Sequence, residues 1–137
     1  MRDYKKFLVW EKSHALTLAI YKVTSLFPKD EIFGLTSQIK RASSSIPMNI
    51  AEGCGRNSDK DFCRFLYIAF GSANELEYQI LLSIDLNFIE NESGQKLLFQ
   101  IEEIKKMLNG LIIKLNKAEC YKAKKICSNY KEVEDYA

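Results

Sequence analysis

The sequence predicts an all-α protein, an antiparallel up-down four-helix bundle that oligomerises through its outer helix faces. Three observations predict it. Apolar residues recur at spacings of three and four through four successive segments, the period of helices that bury one face. Only six glycines and two prolines occur, too few for a protein built from hairpins. The links between segments are a few residues long, which favours antiparallel neighbours.

The first helix is expected from Leu8 to Phe27, with Leu16, Ile20, Val23 and Phe27 on one face. Pro28 ends it, because the residue before a proline is biased out of the helical region. The second begins between Pro28 and Thr36 and ends near Gly53 or Gly55. Leu35, Ile39, Ala42, Ile46, Asn49 and Gly53 give it a seam with one polar member. Gly55 can supply the left-handed residue that closes it. Pro47 lies inside this helix. It lacks an N–H and meets the Ser43 carbonyl, a cost of about 3 kcal/mol in a straight helix. A bend is expected there, eased by the hydroxyls of Ser43, Ser44 and Ser45, whose small size also lets a neighbour approach.

Ser58-Asp59-Lys60-Asp61 reads as a capping box opening the third helix. Phe62, Leu66, Ala69, Ala73, Leu76 and Ile80 form its seam, to about Asn87. Tyr67, Ile68, Phe70, Tyr78, Leu81 and Leu82 cover most of the remaining circumference. A helix apolar nearly all round is a buried helix, so this one is expected to meet another subunit. The competing reading is a membrane-surface helix. Such helices carry a strongly basic polar face, whereas this one offers mainly Arg64, Glu75, Glu77 and Asp85. Asn91 or Ser93 can cap the fourth helix, whose stripe is Leu97 (or Leu98), Ile101, Ile104, Leu108, Leu111 and Leu115. Residues 1–117 are thus read as the bundle, and 118–137 as a polar extension of the fourth helix or a frayed tail.

Composition limits the function. The chain has 137 residues and a net charge of +2, which permits nucleic-acid binding without demanding it. Cys54, Cys63, Cys120 and Cys127 contain no C-x-x-C pair and His14 is the only histidine, so no metal site or cofactor is expected. One histidine also cannot furnish a di-iron bundle, and no phosphate-binding glycine motif follows a strand. Glu75 and Glu77 stand two apart on a helix and cannot act as a pair. The expectation is a protein that is not an enzyme. No secretory h-region and no membrane-length apolar run is seen, which reads as a cytoplasmic protein with reduced thiols and no membrane partner.

Arg41, Ser45, Met48 and Glu52 fall on one stripe of the second helix, beside Asn49 and nearly in line with Arg56. One reading makes this a structural edge: Asn49 sets register, Glu52 pairs with Arg56, and Arg41 reaches Glu75 or Glu77 on the neighbouring helix. The other makes Lys40, Arg41, Arg56, Lys60 and Arg64 a surface that contacts phosphates.

The run Leu35-x-x-Gln38-x-x-Arg41-Ala42-x-x-Ser45-Ile46-x-x-Asn49-Ile50-Ala51-Glu52-Gly53, then Arg56, contains Pro47 and resembles a family signature. Phe62-x-x-Phe65-Leu66-x-x-Ala69-x-Gly71-Ser72-x-x-Glu75-Leu76-Glu77 extends the match, which spans roughly Tyr4 to Lys117. The family is that of bacterial four-helix-bundle proteins encoded within intervening sequences of large-subunit ribosomal RNA genes. It includes the accessory variability determinant of diversity-generating retroelements. The resemblance implies a barrel-like homopentamer with no enzymatic activity. In the retroelement case it also implies a basic surface for nucleic acid and a reverse transcriptase as protein partner. The function expected is therefore a homopentameric accessory module that binds RNA or DNA. The alternative is a scaffold for protein interactions without nucleic acid.

Overall fold

In a computed structural model, residues 2–134 are described. Four helices follow one another: α1 (Leu8–Thr24), α2 (Leu35–Cys54), α3 (Asp59–Asp85) and α4 (Asn91–Glu134), with 3-10 turns at Tyr4–Lys6 and Lys29–Glu31. Each helix packs on its sequence neighbours and α4 returns to α1, which closes an up-down-up-down bundle. The seam residues meet at its centre. Leu16, Ile20, Ile39, Ile46, Ile50, Phe62, Leu66, Leu76, Ile80, Ile101, Ile104 and Leu108 are fully buried.

Helix ends depart from expectation in instructive ways. The first helix stops at Thr24 rather than Phe27, and Phe27 reaches the core from the turn beyond it. Ser58 caps α3 as expected, its Oγ accepting from the Asp61 N–H at 3.1 Å. At the other end Asn87 has a positive φ of 61°. The Phe88 N–H reaches the Ser83 carbonyl at 2.9 Å and the Asn87 N–H reaches that of Ile84 at 3.0 Å, a Schellman closure with asparagine in the glycine role. Gly55 does not supply a left-handed closure: its φ is −80°. The α2 end instead tightens through Gly55 N–H to Glu52 and Arg56 N–H to Gly53, both at 3.1 Å. Asn91 and Ser93 are not caps either, because the helix already includes them and Gly94 donates to the Glu90 carbonyl.

The phase of α2 differs by one residue near its end. Ile50 is fully buried where Asn49 was expected in the seam, and Asn49 lies half-buried at the edge. Its amide donates to the Ser45 carbonyl and hydroxyl at 2.8 and 3.0 Å, within its own helix. The helix runs through Pro47 without interruption. The Ser43 carbonyl, which Pro47 leaves without its N–H, accepts from Thr17 Oγ1 of α1 at 3.0 Å. The hydroxyls of Ser43 and Ser44 turn back to the carbonyls of Lys40 and Arg41 instead.

On α3, Tyr67, Ile68, Tyr78 and Leu81 stand exposed, while Phe70 and Leu82 are half-buried. α4 continues as one helix to Glu134, about 66 Å at 1.5 Å per residue, against about 40 Å for α3. It therefore outruns the helix it packs on.

Candidate functional site

The five basic residues considered for phosphate contact do not form one surface. Arg56, Lys60 and Arg64 gather at the α2–α3 turn. The guanidinium groups of Arg56 and Arg64 lie over the Phe65 ring, 4.7 and 4.6 Å from its centroid. Asp61 faces both, 3.2 Å from Arg64 and 3.9 Å from Arg56, and Glu52 on the last turn of α2 takes Arg56, which lies just beyond the helix end, at 3.2 Å. Lys60 has no acidic partner among the described residues and lines a depression with Cys63, Arg64, Asn116 and Glu119. Lys40 leans instead over Tyr21 of α1, 5.1 Å from the ring centroid. Arg41, 15 positions before Arg56, lies roughly 20 Å up α2 by helical rise.

More basic groups join the turn than sequence reasoning found. The N-terminal segment docks there, with the Arg2 N–H on the Cys54 carbonyl and its guanidinium over Phe62. Arg2 pairs with Asp59, and Lys122 from the far part of α4 reaches the same carboxylate at 3.6 Å. From Lys114 to Lys125 the chain carries five lysines and one glutamate; from Glu90 to Glu103 it carries four glutamates and one lysine. α4 is thus acidic in its first part and basic in its later part, and that basic part lies at the end of the bundle where Asp59 and Asp61 also stand. Nothing in the net charge reveals this, because only the folded direction of α4 brings its lysines beside Arg2, Arg56, Lys60 and Arg64.

The polar members of the signature run assemble elsewhere. Gln38, Arg41 and Ser45 of α2 and Ser72 and Glu75 of α3 line a groove of about 500 Å³ between the two helices. Ser45 and Ser72 join across it, hydroxyl to hydroxyl, at 2.9 Å. Arg41 pairs with neither carboxylate proposed for it. Glu75 Oε1 accepts from Gln79 Nε2 at 3.2 Å, and Glu77 takes Lys105 of α4 at 3.1 Å. The Arg41 guanidinium has no hydrogen bond or ion pair among the described residues. Glu52 lies exposed past the groove; Pro47 and Gly53 are buried, Gly53 against Phe62 and Phe65.

His14 is exposed, its ring stacked on Trp10 at 5.2 Å. Burial, the dominant influence, pushes the Cys54 and Cys63 thiols above their ordinary range. The Cys63 thiol faces the Asn116 side-chain oxygen Oδ1 at 3.6 Å. Among the described residues no three His, Cys, Asp or Glu side chains stand close enough to hold a metal, and no helix is long and apolar enough to cross a membrane.

Residues 5–110 match the family model described as 23S rRNA-intervening sequence protein. A solved structure from Bacteroides thetaiotaomicron, a protein of unknown function from the S23 ribosomal protein family, superposes with a TM-score of 0.72 at 32% identity. It covers 77% of this chain and 98% of its own. No curated protein matches the chain.

Proposed function

Given that the chain belongs to the 23S rRNA-intervening sequence protein family, we propose that it is a non-enzymatic, homo-oligomeric accessory module that binds nucleic acid at its basic end. The observation that carries this is the segregation of charge. Lys114, Lys117 and Lys124 have no acidic partner among the described residues, and they share an end with Arg2, Arg56, Lys60 and Arg64. Arg56 and Arg64 are held at the surface by Glu52 and Asp61, and surface pairs are worth only about 0–1 kcal/mol, so a phosphate can displace them, whereas Arg2 is held by the less exposed Asp59. Part of the α4 pattern, acids first and bases last, also answers the helix dipole. That effect is confined to the terminal turns, whereas the lysines span three turns.

In this reading assembly draws on the exposed apolar face of α3, and the family resemblance is what supports a pentamer. In such an oligomer the basic ends repeat around the ring. The test is the affinity of the intact protein for structured RNA between 50 and 200 mM salt. Contact with several phosphates makes affinity fall steeply with salt. A flat response, or no binding, removes the reading.

The second reading is a protein-interaction scaffold. Its support is that Arg56 and Arg64 are already engaged by Glu52 and Asp61. It predicts that neutralising Lys114, Lys117 and Lys124 leaves RNA retention unchanged.

A further inference from the structure

The groove between α2 and α3 lies apart from the basic end and is not used in attracting phosphates. Its walls carry Arg41 on α2 and Glu75 on α3, opposite charges that do not close on one another. Gln79, only 4% exposed, holds Glu75 by Oε1 and leaves Oε2 open. Gln79 Oε1 is itself buried with no partner. The Ser45–Ser72 hydroxyl pair joins the two walls.

Charge decides what such a groove accepts. A phosphate drawn to Arg41 would face the Glu75 carboxylate. An ammonium drawn to Glu75 would face a guanidinium. An uncharged planar group is matched to both walls when it presents two acceptors beside two donors. Arginine pairs bidentately with the guanine O6 and N7 acceptors, and a carboxylate can accept from guanine N1–H and N2–H. Adenine and cytosine each offer a single amino donor group, and uracil offers one N–H. We infer that the α2–α3 groove is a guanine subsite, with Arg41 on O6/N7 and Glu75 on the N1–H/N2–H edge. An unstacked base presents both of these edges at once, as single-stranded RNA does. The inference rests on the proposed nucleic-acid function. It places base selection roughly 20 Å from phosphate attraction, a span of a few nucleotides.

The experiment compares two single-stranded RNA 12-mers by fluorescence anisotropy on the full chain: uridine only, and uridine with two adjacent central guanosines. The guanosine strand should bind at least about fivefold tighter, the low end of discrimination by a bidentate contact. Glu75→Gln replaces one acceptor oxygen by a donor and removes a negative charge, so it should abolish the preference without weakening the uridine strand. Arg41→Lys keeps the charge and loses the fork, so it should also abolish the preference. Guanosine monophosphate added as competitor identifies the source. Competition at the strand's own concentration range means the groove takes the free nucleotide, and weaker competition means it reads a strand; either sustains the guanine site. Equal affinity for the two strands, or a preference that survives both variants, overturns it. If neither strand binds, the nucleic-acid reading fails separately. Titration with guanosine monophosphate then decides for the groove: Glu75-dependent binding sustains it and no binding overturns it.

Discussion

Thr17 shows how one side chain makes Pro47 tolerable. Its hydroxyl lies 3.0 Å from both the Ser43 and the Ser13 carbonyls and has one proton to share between them. Only the first has lost its helical N–H, so Thr17→Val leaves a buried carbonyl unsatisfied. We expect a loss of about 1–3 kcal/mol in urea denaturation, largely recovered by Thr17→Ser. No loss would mean that the Ser43 carbonyl is served by water. The two described thiols give a second residue-scale prediction. Burial raises both, with Arg2 opposing it and nearby acids (Asp3 for Cys54, Glu119 and Asp59 for Cys63) reinforcing it. Cys54 and Cys63 should therefore resist alkylation at pH 8 in the folded protein and react once it is unfolded. The sign for stability follows. Above the ordinary thiol value of about 8.5 the unfolded chain gives up these protons first, so this stabilisation is full below that pH and fades as pH rises further. Cys54→Ala should show a shallower alkaline decline in urea midpoint than the parent protein.

Two glycines inside helices separate packing from propensity. A Cβ on Gly53 would lie 2.8 Å from Phe62 Cδ2 and 2.9 Å from Phe65 Cβ, across the α2–α3 contact. Gly53→Ala should destabilise, because overpacking of about 1–3 kcal/mol exceeds the roughly 1 kcal/mol gained in helix propensity. A Cβ on Gly71 would meet nothing within 4 Å. Gly71→Ala should stabilise a dilute, unassembled protomer by up to about 1 kcal/mol, and chemical denaturation of the pair reads both signs. Same-signed effects would refute the packing account. This contrast also marks what sequence reveals. The Ser58 cap, the seam of α3 and that of α4 as far as Leu108 were legible because capping and periodicity are local, whereas beyond Leu108 the buried residue is Ile112 and not the expected Leu111. The switch from Asn49 to Ile50 was not, since one residue turns a helix by 100° and only the neighbouring helices settle the phase. The groove was half legible: the Arg41 stripe and Glu75 opposite it were read from the sequence, but that the two do not pair, and that Ser72 stands beside them, depends on the stagger of α3 against α2. Thr17 to Ser43, Lys105 to Glu77 and Lys122 to Asp59 span 26, 28 and 63 positions, and no local pattern points to them.

At the scale of the molecule, the core and the outer face of α3 make different demands. The core is filled without Tyr67, Tyr78 or Leu81, which stand 57, 65 and 44% exposed. With Gly71 they fall within an arc of about 80° at 100° per residue, so the glycine opens a low point between large apolar side chains. A facing helix can approach most closely at such a point, and it would cover the exposed rings as it did so. The face is also nearly free of charge, bounded by Arg64 at one end and Asp85 at the other, which leaves little to desolvate on association. Tyr78→Lys places a strongly hydrated ammonium in the middle of that arc while touching no buried contact of the protomer. Native mass measurement at micromolar concentration should find the parent chain assembled and Tyr78→Lys shifted to lighter species, with the far-ultraviolet dichroism of both unchanged. An assembly that survives Tyr78→Lys would move the interface off α3, and a monomeric parent protein would remove self-association altogether. If the shift occurs, RNA affinity should weaken in the same variant, because separating the protomers disperses the basic ends and removes the gain from simultaneous engagement.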